Sequence, residues 1–194
     1  MNHIAYIKGV LDGDACIERE AKHRPRIVLA VKSRTFAEKF KDALIHLGLS
    51  PYITEQHRMR TFNGYTFRDD KFYCRARCDE EKISLIQNIP LKTSEEKISY
   101  LTGFFDSEGS YYSAQQYIFS NGKKVKNGTQ KRIDITNKNK SLLKKCQAIL
   151  KELGIYSKIY EYPNRALQLV ISRHLDFDRF FGIFGSKYSG AKPT

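Results

Sequence analysis

Hydrophobic and polar positions change their period along the chain, which predicts a succession of strands and helices. Residues 26–32 alternate, so Ile27, Leu29 and Val31 are predicted to point into a core and the residues between them outward. From Arg34 to Leu47 the apolar residues instead recur every three or four positions, as on an amphipathic helix. The ranges predicted to form a helix, two strands, a helix, two strands and a helix are, in that order, 4–14, 16–22, 26–32, 34–47, 51–58, 65–77 and 79–88.

The same order of elements is predicted a second time. Leu47-Gly48-Leu49 is followed 106 residues later by the similar Leu153-Gly154-Ile155. The repeat predicts an α+β protein with two pseudo-symmetric αββαββα halves, each a four-stranded antiparallel sheet covered by helices on one face. The halves are predicted at 1–89 and 97–194, with 90–96 as a linker. The elements of the second half are predicted at 95–108, 110–119, 131–138, 140–153, 156–162, 166–172 and 174–184, before a loose tail at 186–194.

One nine-residue pattern opens both halves: an aromatic, an apolar and a polar residue, glycine, two apolar residues, aspartate, a small residue and an acid. The copies are Tyr6-Ile-Lys-Gly-Val-Leu-Asp-Gly-Asp14 and Tyr100-Leu-Thr-Gly-Phe-Phe-Asp-Ser-Glu108, which lie 94 residues apart. Small residues four apart share one helix face, where they let two helix backbones approach closely. The small residues predicted to form this helix interface are Gly9, Gly13, Gly103 and Ser107.

The acid that ends each copy is the first candidate for chemistry. If the two helices pack on each other, Asp14 and Glu108 arrive together at one end of the pair, where two carboxylates can hold a hard divalent cation. An acid at a helix C-terminus is disfavoured by the helix dipole, and a cation would offset that cost. Helix caps or solvated acids are the alternative interpretation. The packing hypothesis expects leucine at Gly103 to be disruptive, alanine there to be milder, and Lys8 to lie outside the contact.

The net charge of the chain favours some classes of binding partner over others. The chain has 34 Lys and Arg residues against 21 Asp and Glu, a formal net charge of +13, and both halves are basic. Spread positive charge favours a long polyanion, most simply nucleic acid, although a basic protein without such a partner is the alternative. The four cysteines are too scattered for a disulfide framework, and Cys74 and Cys78 lack a second pair of zinc ligands. No signal peptide or membrane span is apparent, so we expect an intracellular protein.

The second half contains an insertion of 12 residues, the difference between the two repeat offsets. The lysine-rich segment 120–130 is predicted to be a long hairpin tip along DNA, with Lys123 and Lys124 as contacts; a solvated loop is the alternative. Outward-facing sheet residues are the other candidates, since Arg and Lys suit guanine, Gln suits adenine, and Glu or Asp can accept from cytosine. They are Glu18, Glu20, Lys22, Arg24, Arg26, Lys32, Arg75 and Arg77 in the first half, and Tyr112, Gln116, Arg132, Asp134, Thr136, Lys138 and Gln168 in the second.

With two motifs, a repeat, a linker and basic sheet faces on one chain, the sequence resembles a monomeric, two-motif LAGLIDADG homing endonuclease. The resemblance covers nearly the whole length. One motif alone would be weak evidence, but two at half-chain spacing, each followed by the same strands and helix, are specific. Ala15 departs from the glycine that the family usually has there, whereas Gly109 keeps it in the second copy.

The resemblance implies a Mg²⁺-dependent endonuclease that binds a long, pseudo-palindromic DNA duplex as a monomer. It would cut both strands across the minor groove and leave 3′ overhangs. Asp14 and Glu108 match the family's catalytic acids and, with backbone carbonyls near Gly13 and Ser107, would bind the metal. Mn²⁺ is expected to substitute for Mg²⁺, and Ca²⁺ to support binding without cleavage. The family's basic or amide positions in the catalytic pocket are matched by Lys32, Asn137 and Lys138.

Two points stay open at the level of sequence. Val31 stands where Asn137 stands in the second half, which predicts unequal active sites and one strand that is cut faster. An RNA maturase on the same scaffold is the competing function, because basic faces do not separate DNA from RNA. Retention of both acids favours the nuclease. Other nuclease patterns, Glu20-Ala-Lys22 and Gly154-Ile-Tyr156, lack their partner elements.

Overall fold

The protein consists of two compact units, Met1–Ser107 and Glu108–Thr194. The computed structural model describes residues 1–21 and 23–184, so the tail predicted at 186–194 lies outside the described residues. Its helices and antiparallel sheets confirm the predicted α+β class. The division after Ser107 assigns the second motif helix to the first unit, together with the first motif helix. No helix within the described ranges has the length and apolar character needed to cross a membrane.

The first unit is built on a four-stranded sheet of order β1-β2-β6-β3, and a separate two-stranded ribbon of β4 and β5 interrupts its second hairpin. Strand β1 is shorter than predicted, because β2 starts only after Pro25 and leaves β1 without a ladder partner beyond Glu18. The elements of this unit are α1 (His3–Asp12), β1 (Cys16–Glu18), β2 (Arg26–Val31), α2 (Arg34–His46), β3 (Tyr52–Gln56), β4 (Met59–Phe62), β5 (Tyr65–Arg68), β6 (Lys71–Arg77), α3 (Glu80–Gln87) and α4 (Ser94–Glu108).

The core of the first unit lies between this sheet and its helices. Helix α2 packs against β2, β3 and β6, and α1 packs against α2 and α3. Ile27 and Leu29 are fully buried in this core, as the alternation predicted. Val28 was predicted to be exposed and is buried instead. It lies on the open sheet face, directly between Cys16 and Arg75 of the two flanking strands, and these neighbours cover it.

Side-chain caps set the ends of the helices in this unit. Asp79 begins α3 as predicted, since its carboxylate accepts from the Lys82 amide at 2.8 Å. Helix α4 begins with a capping box in which Thr93 accepts from the Glu96 amide at 3.2 Å and Glu96 accepts from the Thr93 amide at 2.8 Å. The cap is therefore Thr93, two residues before the predicted start of this helix at residue 95. Gly48, with φ of +74°, ends α2 in the left-handed conformation that glycine adopts most easily.

Helices α1 and α4 pack backbone against backbone at Gly9 and Gly103. A methyl group built on Gly9 would lie 2.1 Å from the Tyr100 carbonyl oxygen, and one built on Gly103 would lie 2.2 Å from the Tyr6 carbonyl oxygen. The contacts follow the same order along both helices, beginning with the Asn2 amide, which donates to Ser99 at 2.9 Å. The two helices are therefore parallel and end on the same side.

Two equivalent hydrogen bonds join these helices near their C-terminal ends. The hydroxyl of Tyr6 donates to Asp106 at 2.9 Å, and the hydroxyl of Tyr100 donates to Asp12, also at 2.9 Å. Thus the aromatic residue that opens each motif holds the first aspartate of the other motif. We call these four residues the tyrosine–aspartate clamp. Both tyrosines are fully buried, so each bond is shielded from water.

Each clamp carboxylate is also paired with a lysine. Lys39 of α2 binds Asp106 at 2.5 Å, and Lys8 forms an ion pair with Asp12 one turn away on α1. Both carboxylates are largely buried, so their charge needs this compensation. Lys8 therefore compensates the charge of Asp12 from the same helix, and its expected position outside the contact between α1 and α4 stays a prediction.

The second unit contains a sheet of order β7-β8-β10-β9, the same arrangement along the chain as in the first unit. Helix α5 packs against β8, β9 and β10 and is capped by Asn139, whose side chain accepts from the Ser141 amide at 3.0 Å. Ile133 and Ile135 of β8 are buried. The elements are β7 (Gly109–Ser120), β8 (Lys123–Asn137), α5 (Lys140–Glu152), β9 (Lys158–Tyr160), β10 (Leu167–Ile171) and α6 (His174–Phe184).

The lysine-rich insertion is the tip of a long hairpin, as predicted, although the strands extend into it beyond their predicted bounds at 119 and 131. Strands β7 and β8 continue through it to a two-residue turn at Asn121 and Gly122, where φ is +51° and +73°. Asparagine followed by glycine suits such a turn, because both residues tolerate positive φ. An irregularity beside Gln116, with Gly128 at φ +101° on the facing strand, absorbs the change in register. The insertion therefore lengthens a hairpin into a projecting arm.

Substitution of Gly103 by alanine tests the helix contact. The added methyl group would overlap the Tyr6 carbonyl oxygen, so even alanine, which was expected to be milder than leucine, should be disruptive. We expect the free energy of unfolding to fall by about 1–3 kcal/mol, measured by urea denaturation. Gly182→Ala in α6 is the matched control, because that position has open space around it and alanine favours helix. Equal stability of Gly103→Ala and the wild type would contradict the packing.

The rings of His3 and His46 stack at the base of α1, with centroids 4.0 Å apart and an angle of 9° between the ring planes. The Nδ1 atom of His3 is buried and has no hydrogen-bond partner. Burial lowers the pKa of His3, and the nearby His46 and the N-terminal amine lower this pKa further. The folded protein therefore binds a proton at His3 less readily than the unfolded chain does.

This difference predicts acid sensitivity. Because the pKa of His3 is lowered in the folded state, the free energy of unfolding should fall as pH drops below about 6.5, the ordinary histidine pKa. His3→Phe keeps an aromatic ring and removes the titration, so it should flatten the decline between pH 8 and pH 5.5 in urea denaturation. His174→Gln, at an exposed position, is the control and should decline like the wild type. An unchanged decline in His3→Phe would refute the assignment.

Candidate functional site

Asp14 lies just beyond α1, in the turn that leads into β1. The amides of Gly13 and Ala15 both donate to the Val10 carbonyl, at 3.2 and 3.0 Å, so the backbone on either side of Asp14 is held. Ala15 packs into the core of the first unit and anchors the turn. The side chain of Asp14 is left exposed at the surface. Its position is thus fixed by the end of α1 and by the start of the sheet.

The carboxyl group of Asp14 is not neutralised by a bound partner. Within the described part of the chain it makes no hydrogen bond and no ion pair. Desolvation by the surrounding protein raises its pKa, and the positive charge of Lys71 acts in the opposite direction. A carboxylate that is fixed, accessible and short of compensating charge has the properties of a ligand for a hard cation.

Glu108 is the last residue of α4 and precedes β7 directly. The amide nitrogen of Asn137, at the end of β8, donates to its Oε1 at 2.8 Å. The oxygen of the same Asn137 amide accepts from the backbone amide of Asn139 at 2.8 Å, so both ends of the Asn137 side chain are engaged. The predicted association of Asn137 with the second acid is present in this unit. Asn137 therefore orients the Glu108 carboxylate.

The two lysines predicted beside the acids differ in their surroundings. Lys32 follows β2 and forms an ion pair with Asp69 at 3.1 Å, although most of the lysine side chain is exposed. Lys138 follows β8, is exposed, and makes no ion pair within the described ranges. Val31, which corresponds to Asn137, is buried and brings no amide to the first acid. The charge at Asp14 comes instead from Lys71.

The remaining predicted ligands and interface residues are Gly13 and Ser107. Gly13 ends α1 and has no side chain, so only its carbonyl can serve a metal. The hydroxyl of Ser107 donates to the Gly103 carbonyl of its own helix at 3.2 Å, which leaves the Ser107 carbonyl for that role. The described residues contain no cluster of three or more His, Cys, Asp or Glu side chains that could hold a metal ion. Mg²⁺ does not need one, since it keeps waters and uses substrate phosphates.

The open face of the first sheet carries the predicted basic residues. Arg75 donates to the Thr54 hydroxyl at 2.7 Å, and its guanidinium lies over the Tyr73 ring at 4.5 Å. Arg26 is paired with Glu18 and Glu20, so these two acids hold an arginine and are not free to contact bases. Lys22 lies outside the described residues.

A basic cavity of about 420 Å³ lies at one end of this face. Arg26 and Arg77 face each other directly across β2 and β6, a like-charge pair that is unfavourable by itself. Arg77 forms no ion pair within the described residues, and neither does Arg24, so the cavity is suited to an anion. The side chains that line it with polar or charged groups are Arg24, Arg26, Ser50, Tyr52, Arg77, Asp79 and Lys82.

Asp134 was predicted to be an outward-facing contact on the open face of the second sheet, and the structure differs from this prediction. This carboxylate is buried and accepts from the Tyr112 hydroxyl at 2.5 Å, with Arg132 at 3.6 Å. Burial and the bond to Asp134 raise the pKa of Tyr112 to about 12. Asp134 is therefore an internal support for Tyr112 and Arg132, and the expectation that it contacts a base is wrong. The other predicted contacts on this unit are at least partly exposed: Gln116, Lys123, Lys124, Thr136, Lys138 and Gln168.

Sequence analysis missed three features of this region. Lys71 and Tyr73 lie on the open face by the same alternation that identified Arg75 and Arg77. The tyrosine–aspartate clamp was signalled by the tyrosine that opens both motifs, which was noted only as an aromatic position. The residues of β4 were taken for part of a loop and those of β5 for the start of a longer strand, although Asn63-Gly64 is a strong signal for a tight turn.

A family of known sequences matches the chain twice. The LAGLIDADG-like domain model matches residues 2–87 and 95–185. The chain is also 31% identical over 170 residues to the uncharacterized protein MJ0314 of Methanocaldococcus jannaschii. That alignment covers 84% of this chain and 59% of the length of MJ0314, so the relative extends well beyond the matched region.

Solved structures share the fold. Full-length DUF199/WhiA from Thermatoga maritima is similar with a TM-score of 0.63 and 17% identity, over 95% of this chain and 55% of that chain. The homing endonuclease I-DmoI, in a crystal structure with DNA and Mn, is similar with a TM-score of 0.60 and 18% identity, over 96% of this chain and 97% of that chain. Two family matches over most of the sequence, on a fold shared with a two-motif endonuclease, assign this chain to the LAGLIDADG-like domain family.

Proposed function

We propose that the protein is a site-specific DNA endonuclease that acts as a monomer and cuts both strands of a long duplex. The observation that carries the proposal is the close parallel packing of α1 and α4. Each helix leads to an acid, Asp14 after α1 and Glu108 at the end of α4. Because parallel helices end on the same side, each acid can serve one strand of a single duplex. Nicks across the minor groove would leave 3′ overhangs.

The oxygen atoms available at these two acids support the binding of a divalent cation. Structures of I-DmoI have been determined with DNA and Mn, with DNA and Ca, and with target DNA in Mg. At each acid, Asp14 with the carbonyl of Gly13 and Glu108 with the carbonyl of Ser107, a bound Mg²⁺ would activate a water for in-line attack and stabilise the leaving 3′-oxygen. The exposed carboxylate of Asp14, whose pKa is raised by desolvation, is suited to this role.

The two acids differ in the residues that surround them. Asn137 fixes the orientation of Glu108 through its amide, whereas Lys71 supports the ionised form of Asp14 through its charge. Lys32 and Lys138 are exposed and are proposed to bind the scissile phosphates, although Lys32 must first leave Asp69. These differences support unequal cleavage rates on the two strands.

The open sheet faces and the basic cavity are proposed to bind the two arms of the target. Arginines and lysines on both units supply phosphate contacts, while Arg75 and Gln168 are placed on the open faces to contact bases. Arg77 and Arg24 in the cavity form no ion pair within the described ranges, so a phosphate would complete their environment. The net charge of +13 supports a long polyanion over a small substrate.

The assignment of the acids is tested by Asp14→Asn and Glu108→Gln. Each should abolish double-strand cleavage in Mg²⁺ and leave duplex binding within a few-fold of wild type, because only the metal ligand is changed. The measurements are gel-resolved cleavage and binding of the same duplex. Ca²⁺ should support binding without turnover.

Asp42→Asn, an exposed acid on α2, is the matched control and should cleave like the wild type. Normal cleavage by both acid variants, or efficient cleavage in EDTA, would refute the metal-dependent mechanism. Tight duplex binding with no cleavage by the wild type in Mg²⁺ or Mn²⁺ would favour a binding protein.

Each hydrogen bond of the tyrosine–aspartate clamp should affect the cleavage rate of one DNA strand. Tyr100→Phe removes one hydrogen bond to Asp12, two residues before Asp14, and Tyr6→Phe removes one to Asp106, two residues before Glu108. Each variant should lose about 1 kcal/mol of stability and slow one strand at least about tenfold, with the two variants slowing opposite strands. Single-turnover nicking with each strand labelled measures this.

Tyr111→Phe is the control for the loss of a hydroxyl, since the Tyr111 ring makes edge contacts to Phe177 and Phe181 and its hydroxyl forms no bond within the described residues. If Tyr6→Phe and Tyr100→Phe slow both strands equally, the clamp supports stability alone and does not position the individual acids.

A further inference from the structure

The ribbon of β4 and β5 continues the open face of the first sheet. The ladder of β3 and β6 ends at Gln56 and Lys71, and the ladder of β4 and β5 begins after two further residues on each strand. Equal numbers of residues leave the register unchanged, and the Asp69 amide, which donates to the Arg58 carbonyl at 2.7 Å, bridges the gap. Side chains alternate between faces along a ladder. One face of the ribbon therefore continues the row to which Arg75 and Tyr73 belong.

That face is mainly aromatic and is exposed. It carries Arg60 with Phe62, Tyr65 and Phe67, of which the aromatic side chains are 69%, 80% and 45% exposed. The described residues of the first unit leave a large part of each of these rings uncovered. A group of exposed aromatic residues on a soluble protein marks an interaction surface. We call this surface the aromatic face.

The base of the ribbon is fixed to the sheet by charge. Asp69 is buried and pairs with Lys32 at 3.1 Å and with Arg60 at 2.8 Å. Asp70 pairs with Arg68 at 2.6 Å. These contacts hold both strands where they leave the sheet, so the ribbon is presented as a defined extension. Residues 57–68 contain three arginines and no acid, which suits a polyanionic partner.

The geometry points to the major groove of DNA as the site of the aromatic face. A two-stranded ribbon fits this groove, and the apolar group that base edges present there is the C5-methyl of thymine. We propose that Phe62, Tyr65 and Phe67 contact thymine methyl groups in the half-site bound by the first unit, so that this ribbon selects thymine by apolar contact. The inference rests on the DNA binding of the proposed function and not on cleavage.

Replacement of thymine by deoxyuridine tests this inference, because it removes the methyl group and leaves base pairing intact. The parent duplex is one selected for tight binding from a randomised library. In that duplex, uracil at the contacted thymines should weaken wild-type binding about fourfold for each methyl group. The Phe62→Ala, Tyr65→Ala, Phe67→Ala triple variant should bind the thymine and uracil duplexes equally. Exposed side chains are changed, so folding is expected to be retained and is checked by urea denaturation.

Leu85→Ala is the matched control, since Leu85 is an exposed apolar residue on α3, and it should keep the full preference for thymine. Wild-type protein that binds the thymine and uracil duplexes equally would overturn the inference while leaving the proposed function in place. A rise in 2-aminopurine fluorescence with no uracil effect would also overturn it, because the rings would then unstack bases. Failure to select any duplex would remove the DNA-binding function and this inference together.

Discussion

The approach of two helix backbones at Gly9 and Gly103 is the constraint on which the proposed chemistry depends. A methyl group added at Gly9 would lie 2.1 Å from the facing carbonyl oxygen, and one added at Gly103 would lie 2.2 Å from its own facing carbonyl oxygen, so neither position has room for a methyl group. This closeness brings Tyr6 within reach of Asp106 and Tyr100 within reach of Asp12, and those bonds hold the ends of both helices. Asp14 follows one helix end and Glu108 forms the other. The first aspartate of each motif therefore stabilises the helix pair. The final acid of each motif is the one that is proposed to bind a cation.

The two halves share an order of strands but differ where they meet the proposed substrate. Glu108 is oriented by an amide, whereas Asp14 is influenced by the charge of a lysine. The projecting hairpins of the two units are also formed differently. In the first unit the ribbon of β4 and β5 interrupts the hairpin of β3 and β6. In the second unit the projecting arm lengthens the hairpin of β7 and β8. A pseudo-symmetric scaffold with unlike arms is suited to a target whose two half-sites differ in sequence.

Much of the fold could be predicted because local signals agree with the final structure. The alternation around Ile27 and the helical period around Phe40 each reflect burial on one face, which a single sequence records directly. The features that sequence missed depend on contacts between distant segments. Asp134 has the pattern of an outward residue, yet Tyr112 and Arg132 bury it. The strands on either side of residues 120–130 run further than predicted, because polar composition suits a loop and an exposed strand equally well.

Cleavage selection on a randomised duplex library with Mg²⁺ tests the central claim most directly, since it requires binding, two functional acids and both half-sites at once. If the paired helices position Asp14 and Glu108 for cleavage, sequencing of the cut products should recover one long target with breaks on both strands that leave 3′ overhangs. Recovery of bound but uncut duplexes alone, from protein that is folded and supplied with Mg²⁺ or Mn²⁺, would contradict the claim.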